Sequence, residues 1–229
     1  MKIAIFTGAG ISAESGIETY RDHEDGMWYN YKTEEVASAR GWKKTPEKVL
    51  EFHNIFRAKC RQIQPNIAHE ALVDLEEKHE VTIITQNVDD LHEKAGSKNV
   101  LHIHGELLKA RNCLDEIIPL EGDLNIGDLD EYGEQLRPHT VLFGEYPFYW
   151  VESIEAIRNA DIFIIIGTSF SIGYSVDILN SCRKDCKVYY VDPKPDLGIH
   201  YSNSNDINII SENATKGVVE LVNKINENV

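Results

Sequence analysis

The sequence predicts an α/β fold, a doubly wound and Rossmann-like parallel sheet with a small second domain formed by two insertions. Short apolar runs of strand length alternate along the chain with segments of helical periodicity, as in βαβ units. The run Ile162–Ile166 is apolar at every position, as expected of a central strand covered on both faces. Small or polar residues follow several strands directly, where open parallel sheets bind their ligands.

Residues 1–21, 66–110 and 137–229 are predicted to form the Rossmann-like domain, and the insertions 22–65 and 111–136 the small domain. A chain of 229 residues, 42% of them hydrophobic, is long enough for one full α/β domain that carries such insertions. The first insertion is predicted to be helical, and the second is an acidic, loop-rich excursion.

The first strand is predicted at Ile3–Phe6, and a glycine-rich turn follows it. Gly8, Gly10 and Ala13 have the glycine-glycine-small spacing of a dinucleotide-binding turn, in which missing side chains let backbone N–H groups approach a pyrophosphate. An ordinary tight turn between a strand and a helix has the same glycines, so this spacing alone does not decide between the two.

The residues after the glycines are more specific. A long amphipathic helix is expected after a dinucleotide-binding turn. Here the small-residue cluster Ser12–Gly16 comes directly, and the polar residues Thr19, Tyr20 and Arg21 follow it. This content predicts a loop that folds over a ligand.

The first insertion contains a predicted helix with Thr45 as its N-cap and Pro46 at its first position. Apolar side chains follow at helical spacing over 49–56. The aromatic side chains of this insertion are interpreted as core residues rather than as a ligand-binding box.

A predicted strand at Val81–Thr85 ends in Gln86, Asn87, Asp89 and Asp90, polar side chains at a position suited to ligand binding. Asn and Asp also form turns and cap helices, and for Asp90 a cap on the following helix is the preferred interpretation.

The segment Leu101–Glu106 alternates between apolar and polar residues, which predicts a short strand with His102 and His104 on one face. A single histidine on a strand is more often structural than catalytic. Two of them followed by glycine and glutamate indicate that one is presented at a strand end.

The remaining elements complete the alternation of strands and helices. Val141–Glu145 is predicted to be extended, and the most apolar strand closes with the small polar turn Gly167–Ser169. The strand at 187–191 ends in Asp192, a carboxylate suited to ribose hydroxyl groups. Further helices are predicted at 67–78, 152–159, 176–182 and 214–226, and a last strand at 207–210.

Charge and cysteine content limit the classes of partner. Lys and Arg total 23 against 38 Asp and Glu, a formal charge of −15, and so acidic a surface repels phosphate backbones. We therefore expect no direct nucleic-acid partner, whereas a cationic protein or peptide is compatible.

The four cysteines have none of the spacings of a metal site or a disulfide framework, which predicts reduced thiols in a cytoplasmic protein. No apolar segment has the length of a signal peptide or a membrane span, and a monomer is favoured.

Five motifs, taken in order along the chain, point to one family. They are GAGISAESGI with TYR, QNVD, HIHGE, FGE and GTS. Together they resemble the sirtuins, the NAD-dependent protein-lysine deacylases, through nearly the whole chain. The small size and the first motif resemble the compact bacterial-type branch that includes desuccinylase-like members. The resemblance implies NAD as cofactor and an acyl-lysine protein or peptide as substrate.

The resemblance also implies a role for each residue that matches a motif. The pyrophosphate of NAD would be cradled by Gly8, Ala9, Gly10, Ser12 and Ala13. The loop over the ribose and nicotinamide would contain Thr19, Tyr20 and Arg21, and the nicotinamide ribose and carboxamide would be held by Gln86, Asn87 and Asp89. The phosphates and the adenosine would meet Gly167, Thr168, Ser169, Asp192 (where the family commonly has Asn), Asn213 and Ala214. The substrate side would be formed by His53, Phe56, Phe143, Gly144 and Glu145.

The chemistry implied by the resemblance suits these residue types. The acyl-lysine carbonyl oxygen attacks the ribose carbon as the nicotinamide bond breaks. Neutral His104 then accepts a proton from a ribose hydroxyl, while Asn87 and Asp89 orient the ribose and a water. The products are nicotinamide, the deacylated lysine and O-acyl-ADP-ribose. His102 is expected to be structural.

Two departures from the family pattern lead to further predictions. Most sirtuins bind a structural zinc through four cysteines after HGE, and here that region has only Cys113, so no zinc is predicted. Packing around Leu114, Ile117, Ile118, Leu120 and Leu124 is expected to hold the excursion instead.

The second departure concerns the acyl group. Desuccinylase-like members grip an acyl carboxylate with a Tyr and an Arg three residues apart, and the matching positions are His53 and Phe56, with Arg57 one step late. We therefore predict weak preference for succinyl-lysine and better turnover of acetyl or longer apolar groups. The proline that usually follows GTS and grips the peptide is also missing.

Three other functions fit parts of the pattern. A sirtuin-like NAD hydrolase or ADP-ribosyltransferase would use the same pocket with another nucleophile. A non-catalytic NAD or ADP-ribose binding module would not need His104, Asn87 and Asp89 together. A hydride-transferring dehydrogenase would need a second substrate domain.

Overall fold

A computed structural model describes residues 1–17, 31–168, 173–196 and 206–227. The strands are β1 (Lys2–Thr7), β2 (Glu80–Thr85), β3 (Val100–His102), β4 (Gly105–Arg111), β5 (Ile117–Pro119), β6 (Arg137–Thr140), β7 (Ile162–Ile166), β8 (Lys187–Val191) and β9 (Ile207–Ile210). The α-helices are α1 (Thr33–Val36), α2 (Ala39–Lys44), α3 (Pro46–Gln62), α4 (Ile67–Glu76), α5 (Leu91–Ala95), α6 (Trp150–Arg158), α7 (Gly173–Asn180) and α8 (Ala214–Glu227).

The main sheet has the predicted doubly wound, Rossmann-like architecture. Within the described ranges it consists of six strands in the order β3-β2-β1-β7-β8-β9, and all neighbouring strands are parallel. From β1 the chain continues to β2 and β3 on one side, and it returns to β7, β8 and β9 on the other. The order therefore reverses between β1 and β7.

Helices cover both faces of this sheet, so its central strands are apolar on both sides. Leu72 of α4 and Leu221 of α8 pack on one face in the same cluster as Ile5 and Ile164. The other face is covered by α6 and α7, whose Ile157 and Ile178 pack with Phe6 and Phe163. Every residue of β7 is buried, as predicted for a central strand.

A second, smaller layer lies beside the main sheet. It contains α1, α2 and α3 and an antiparallel sheet in the order β5-β4-β6. The described part of the first insertion is helical, as predicted, and the loop-rich excursion contributes the three-residue strand β5. The domain boundaries given above stay a prediction.

The core of this layer differs in part from the prediction. Leu124 is buried with Leu50 and Ala110, and Ile118 and Leu120 pack against them. The prediction that Leu114 and Ile117 also belong to this core is wrong, because these residues are 59% and 42% exposed.

Two predicted extended segments are interrupted by glycines in left-handed backbone conformations. The predicted strand 101–106 is instead the end of β3, a turn and the start of β4, because Gly105 has a φ of 82° and reverses the chain. In the predicted extension 141–145, Phe143 makes a parallel bridge with Ser38, but a turn follows, with Gly144 at a φ of 96° and a bond from the Glu145 amide to the Leu142 carbonyl (2.9 Å).

The cap of α5 is also different from the prediction. Asp90 occupies the N-cap position, but its side chain makes no cap bond and pairs with Lys94 at 2.9 Å. The Oδ1 atom of Asp89 accepts the Leu91 amide instead, at 3.2 Å. Helix capping is therefore carried by Asp89, the residue also expected in the ligand site.

Two further findings concern the whole of the described chain. None of its helices combines the length and apolar character needed to cross a bilayer. The four cysteine thiols are free, and three of them, Cys60, Cys182 and Cys186, are buried.

Candidate active site

The point where the strand order reverses lies between the carboxyl ends of β1 and β7, the position at which open α/β sheets bind ligands. Two short 310 turns, Ala9–Ile11 and Ala13–Ser15, follow β1. The long helix that usually follows a dinucleotide-binding turn is replaced by these turns, in agreement with the prediction. Gly167 and Thr168 follow β7. The crevice is therefore formed by the segments that the sequence singles out.

Backbone contact between these two segments explains the glycines. The amides of Gly8 and Gly10 donate to the carbonyls of Ile166 and Gly167, each at 2.9 Å. A Cβ atom on Gly10 would lie 2.5 Å from the Gly167 Cα, and one on Gly8 would lie 2.7 Å from the Gly167 carbonyl oxygen. Both positions therefore require glycine for packing of the two loops, whether or not a ligand is bound.

This packing also limits which amides can face a pyrophosphate. Gly8 and Gly10 use their N–H groups within the protein. Ala9 and Ala13 begin the two 310 turns, and the first residue of such a turn has no carbonyl within the turn to bond. The predicted phosphate cradle, if it uses backbone amides, thus depends on Ala9 and Ala13.

Three side chains of the predicted ribose site form one buried network. The hydroxyl of Ser12 donates to Asp89 Oδ2 at 3.1 Å. The side-chain amide of Asn87 donates to the Ser12 hydroxyl at 3.1 Å and to the Gly8 carbonyl at 3.2 Å. Residues from the ends of β1 and β2 are thereby fixed against each other at the crevice.

Burial changes the acidity of this network. It raises the pKa of Asp89 to about 6, although the hydrogen bonds from the Leu91 amide and the Ser12 hydroxyl lower it. The carboxyl group is therefore close to a balance between its two protonation states just below neutral pH. A ligand hydroxyl that donated to Asp89 would favour the ionised form.

His104 lies in the turn between β3 and β4, half-buried, with Nδ1 2.8 Å from the Gln86 carbonyl oxygen. A carbonyl oxygen only accepts, so we infer that the neutral ring has its proton on Nδ1 and its lone pair on Nε2. Burial lowers the pKa of His104 to about 4, although the Gln86 bond raises it. The ring is therefore neutral at pH 7, with an unprotonated nitrogen that can accept a proton.

The pKa of His102 shifts in the opposite direction. Its Nδ1 lies 2.9 Å from the Asn87 carbonyl and its Nε2 2.8 Å from Glu93 Oε1, so both ring nitrogens face acceptors. Burial opposes the charge, but the hydrogen bond and charge of Glu93 outweigh it and raise the pKa of His102. A ring bonded at both nitrogens to protein has no atom for a substrate, which supports its predicted structural role.

Two side-chain hydrogen bonds join the segment after β7 to the end of β2 and to β8. Thr168 donates its hydroxyl to Gln86 Oε1 at 2.8 Å. The hydroxyl of Tyr190 donates to the Thr168 carbonyl at 2.6 Å from beneath. Gln86 and Thr168, predicted to contact opposite ends of the same cofactor, are therefore in direct contact.

A buried polar layer below the crevice was missed by the sequence reasoning. The hydroxyl of Thr7 donates to that of Thr85 at 2.8 Å and lies 3.1 Å from His92 Nε2, and the His92 ring packs edge-on against His69. The threonines end two apolar strands in the same register. A threonine at the last position of both strands was the available signal.

The expected adenosine residues lie at the neighbouring strand ends. Asp192 is buried directly after β8, and its amide donates to the Ile210 carbonyl at 3.2 Å. Asn213 and Ala214 stand at the start of α8, which is linked to the first loop because Glu14 accepts the Thr215 amide and hydroxyl at 3.0 and 2.7 Å. The structure thus brings these residues to the same edge as Ala9–Ser12.

The predicted substrate segment is held by the small layer. The amide and carbonyl of Phe143 pair with Ala37 and Ala39, at 2.8 and 3.2 Å, while its side chain is 54% exposed. Glu145 is bonded to Arg137 (2.9 Å) and Arg111 (3.3 Å). Since the backbone of Phe143 is occupied, a peptide that adds to this segment has to pair with its neighbours.

The two residues expected at the acyl group are both on the inner side of α3. His53 is buried, with Nδ1 2.7 Å from the Val49 carbonyl and Nε2 3.0 Å from the Thr140 hydroxyl, and burial lowers its pKa to about 4. Phe56 packs in an apolar cluster with Ile17 and Leu107. Thr19, Tyr20, Arg21 and Ser169 lie outside the described residues.

The donor set of the crevice fits a dinucleotide. Carboxylates of Asp89 and Asp192 can accept from ribose hydroxyls, and the Asn87 amide and Ser12 hydroxyl stand beside the first of them. Both carboxylates lie at the carboxyl ends of parallel strands. The residues present therefore suit NAD as the cofactor.

Comparison with known proteins agrees with this arrangement. Residues 8–173 match the Sir2 family. An "NAD-dependent protein deacylase" of Helicobacter pylori is 45% identical over 227 residues, which cover 98% of this chain and 97% of the relative. The chain belongs to the Sir2 family. Another relative with that name, from Bacteroides thetaiotaomicron, is 40% identical over 227 residues, covering 96% and 95%.

Solved Sir2 structures have the same fold. A Sir2 homologue in complex with ADP-ribose superposes with a TM-score of 0.86 at 32% identity, over 99% of this chain and 92% of that one. A Sir2 homologue in complex with NAD gives 0.85 at 32% identity, over 99% and 90%. A Sir2 protein with a deacetylated peptide and 3′-O-acetyl-ADP-ribose gives 0.76 at 25% identity, over 99% and 92%.

The contrast between the two histidines gives a testable prediction. In Glu93→Gln, we expect the pKa of His102 to fall below 6.5, because burial is then opposed only by weaker contacts, while that of His104 stays low. NMR titration of the imidazole resonances measures both in one sample, with His104 as the internal control.

The same variant tests the stability linkage. Because the pKa of His102 is higher in the folded than in the unfolded protein, its protonation adds to the free energy of unfolding. This contribution is complete below about pH 6.5, the unfolded pKa, and is lost as the pH rises through the pKa of the folded protein. Urea unfolding is therefore expected to show a larger loss of stability for Glu93→Gln at pH 6 than at pH 9.5. An equal loss at both values would contradict the assigned charge on His102.

Proposed function

We propose that this Sir2-family chain is an NAD-dependent protein-lysine deacylase that releases nicotinamide and O-acyl-ADP-ribose. The observation that carries the proposal is the pairing of a neutral His104, with its lone pair on Nε2, with the Ser12–Asn87–Asp89 network at one crevice. A binding module needs hydrogen-bonding groups, but it does not need a basic nitrogen placed beside them.

His104 is the general base in this proposal. Its Nε2 would accept a proton from a sugar hydroxyl, and the Gln86 carbonyl at Nδ1 keeps the ring in the tautomer that can do so. The positive charge formed on the ring is stabilised by the same carbonyl. His104 then returns the proton when the product leaves.

Asn87 and Asp89 position the reacting groups. The Asn87 amide is held by the Gly8 carbonyl and the Ser12 hydroxyl, so its orientation is fixed. Asp89 would accept from a ribose hydroxyl, which favours its ionised form. Bound NAD would supply an ADP-ribosyl group with nicotinamide as the leaving group.

The substrate is proposed to be an acyl-lysine in a protein or peptide, bound beside Phe143 and Gly144 by β-augmentation. Phe143 offers an exposed ring there, and Gly144 has no side chain to block an approaching backbone. Reduced cysteines support a cytoplasmic location, and we propose a monomer.

Product analysis tests this reaction. With NAD and an acetyl-lysine peptide, mass spectrometry is expected to find nicotinamide, free lysine peptide and O-acetyl-ADP-ribose in equal amounts. His104→Ala should lower the rate by roughly 10²–10⁴-fold because general-base help is lost, with an unchanged melting temperature as the folding control.

Other outcomes separate the alternatives. Nicotinamide released at full rate without peptide would identify an NAD hydrolase, and ADP-ribose attached to the peptide would identify a transferase. If the wild type and His104→Ala both bind NAD and neither turns it over, the protein is a binding module.

The acyl pocket is proposed to prefer apolar groups. Phe56 lies in an apolar cluster, both ring nitrogens of His53 are bonded, and the Arg57 guanidinium donates to the Leu107 and Asn54 oxygens. No carboxylate-gripping pair is therefore offered at these positions.

A panel of acylated peptides tests this preference. We expect kcat/KM for acetyl or longer apolar acyl groups to exceed that for succinyl, because burying a carboxylate without a partner is costly. His53→Tyr with Phe56→Arg should raise the succinyl-to-acetyl ratio, whereas Ile67→Arg, an exposed position on α4, should leave it unchanged. A wild-type enzyme that turns over succinyl peptide fastest would refute the proposal.

The excursion 111–136 is proposed to be held without zinc. Asp130 accepts the amides of Cys113, Tyr132 and Glu134 at 3.1, 2.9 and 2.9 Å, so one carboxylate joins both ends of the excursion. Asn112 accepts two further amides through its side-chain oxygen, at 2.9 Å each. These bonds do the joining that metal ligands do in zinc-binding relatives.

Metal analysis tests the absence of zinc. We expect far less than one zinc per chain after dialysis, and no change in melting temperature on adding a chelator. Asp130→Ala should lower the melting temperature because three backbone amides lose their acceptor, and the effect should be modest because all three bonds are exposed to solvent. About one zinc per chain would overturn this proposal.

A further inference from the structure

A groove runs along the outer side of α3, between the helix and the loop 123–126. It has a volume of about 560 Å³. The residues that line it are Glu47, Leu50, Glu51, Asn54, Ile55, Ala58, Asp123, Asn125 and Ile126. The helical residues span 47–58, which at 1.5 Å per residue is about 16 Å and matches about five residues of extended chain.

The groove is separate from the crevice described above. Its helical residues recur at three- and four-residue spacing on one side of α3. His53 and Phe56 lie on the opposite side of the helix, which packs toward β4 and β6. A ligand in the groove would therefore contact neither the predicted acyl site nor the strand ends.

The far wall of the groove is fixed in place. Asn54 donates to the Leu124 carbonyl and accepts the Leu124 amide through its side chain, both at 3.0 Å. Leu124 itself is buried against Leu50. The loop is thereby held at a constant distance from the helix, so the groove is already formed without a ligand.

The chemistry of the walls selects a class of partner. Ile55 and Ile126 are 43% and 56% exposed, and because they lie on facing walls they offer apolar contact from both sides of the groove. Three exposed carboxylates, Glu47, Glu51 and Asp123, stand around them, and none of the described residues that line the groove is basic. Arg61 approaches Asp123 from outside at 4.0 Å.

We propose that this groove docks a basic, amphipathic segment of the protein substrate, one in which Lys or Arg side chains alternate with apolar ones. Apolar side chains of the segment would contact Ile55 and Ile126, and its cations would pair with the three carboxylates. A second copy of this chain is disfavoured as the occupant because each copy has a formal charge of −15. That the partner is the substrate depends on the proposed function, whereas the docking does not.

Direct binding tests the docking without any catalysis. The probe is a fluorescein-labelled peptide of alternating Lys and Leu residues that contains no acylated lysine, with an alternating Glu and Leu peptide as the comparison. The variant is Glu47→Gln, Glu51→Gln and Asp123→Asn together. The matched control is Glu70→Gln, Asp74→Asn and Glu77→Gln, which removes three exposed carboxylates from the α4 region.

We expect the groove variant to weaken binding of the basic peptide about tenfold at low salt, since three exposed pairs each contribute modestly. The control should change it less than twofold, and Ile55→Ser with Ile126→Ser should weaken it as well. Equal weakening by the control, no effect of the groove variant, or equal binding of the acidic peptide would overturn the proposal. Melting temperatures verify that every variant is folded.

Kinetics then test the role in catalysis. Two acetyl-lysine peptides are compared, a short one and the same one extended by the basic segment through a flexible linker. The groove variant should raise KM about tenfold for the extended peptide only, with kcat and the short peptide unchanged. Equal effects on both peptides would refute a separate docking site. If neither peptide is deacylated but the basic probe binds the groove, the proposed function fails and the docking stands.

Discussion

The contact between the loops that follow β1 and β7 is the constraint on which the site depends. Gly10 and Gly167 approach so closely that a Cβ atom on either would overlap the other's backbone. Because two amides of the first loop bond to the end of β7, the crevice has a fixed width before any ligand arrives. Ser12 is placed by that loop, and the Asn87 and Asp89 side chains are placed by Ser12. The cofactor site is thus built outward from one backbone contact.

Burial and hydrogen bonding together explain why His102 and His104, two residues apart, are expected to have different roles. Both direct Nδ1 at a backbone carbonyl of the segment after β2, so both rings are oriented alike at that nitrogen. The difference lies at the other nitrogen, where Glu93 stabilises a charge on His102. Burial lowers the pKa of His104 more strongly than the hydrogen bond to the Gln86 carbonyl raises it, and this keeps the ring neutral. Burial thus leaves the His104 ring unprotonated, whereas Glu93 raises the pKa of His102 against the effect of burial.

Much of this arrangement could be predicted from the sequence because it depends on local signals. Apolar runs identified the strands, and polar residues at their ends identified Asn87, Asp89 and Asp192 before their contacts were known. Features that depend on tertiary contact were missed. The left-handed backbone at Gly105, where a Cβ atom would overlap the His139 carbonyl of β6, and at Gly144 interrupts two segments that were predicted to be extended. The layer of Thr7, Thr85 and His92 likewise requires residues distant in sequence to meet, since Thr7 is 78 residues from Thr85 and 85 from His92.

The helix α3 shows how one element can serve two surfaces of opposite character. On its inner side, both ring nitrogens of His53 are bonded and Phe56 packs in an apolar cluster. Its outer side has carboxylates around exposed isoleucines. A lysine loses its positive charge when it is acylated, so the acyl-lysine itself gains nothing from an acidic surface. Attraction between this acidic protein and a basic substrate must therefore act through other residues of the substrate, and the outer side of α3 is placed to meet them without entering the crevice.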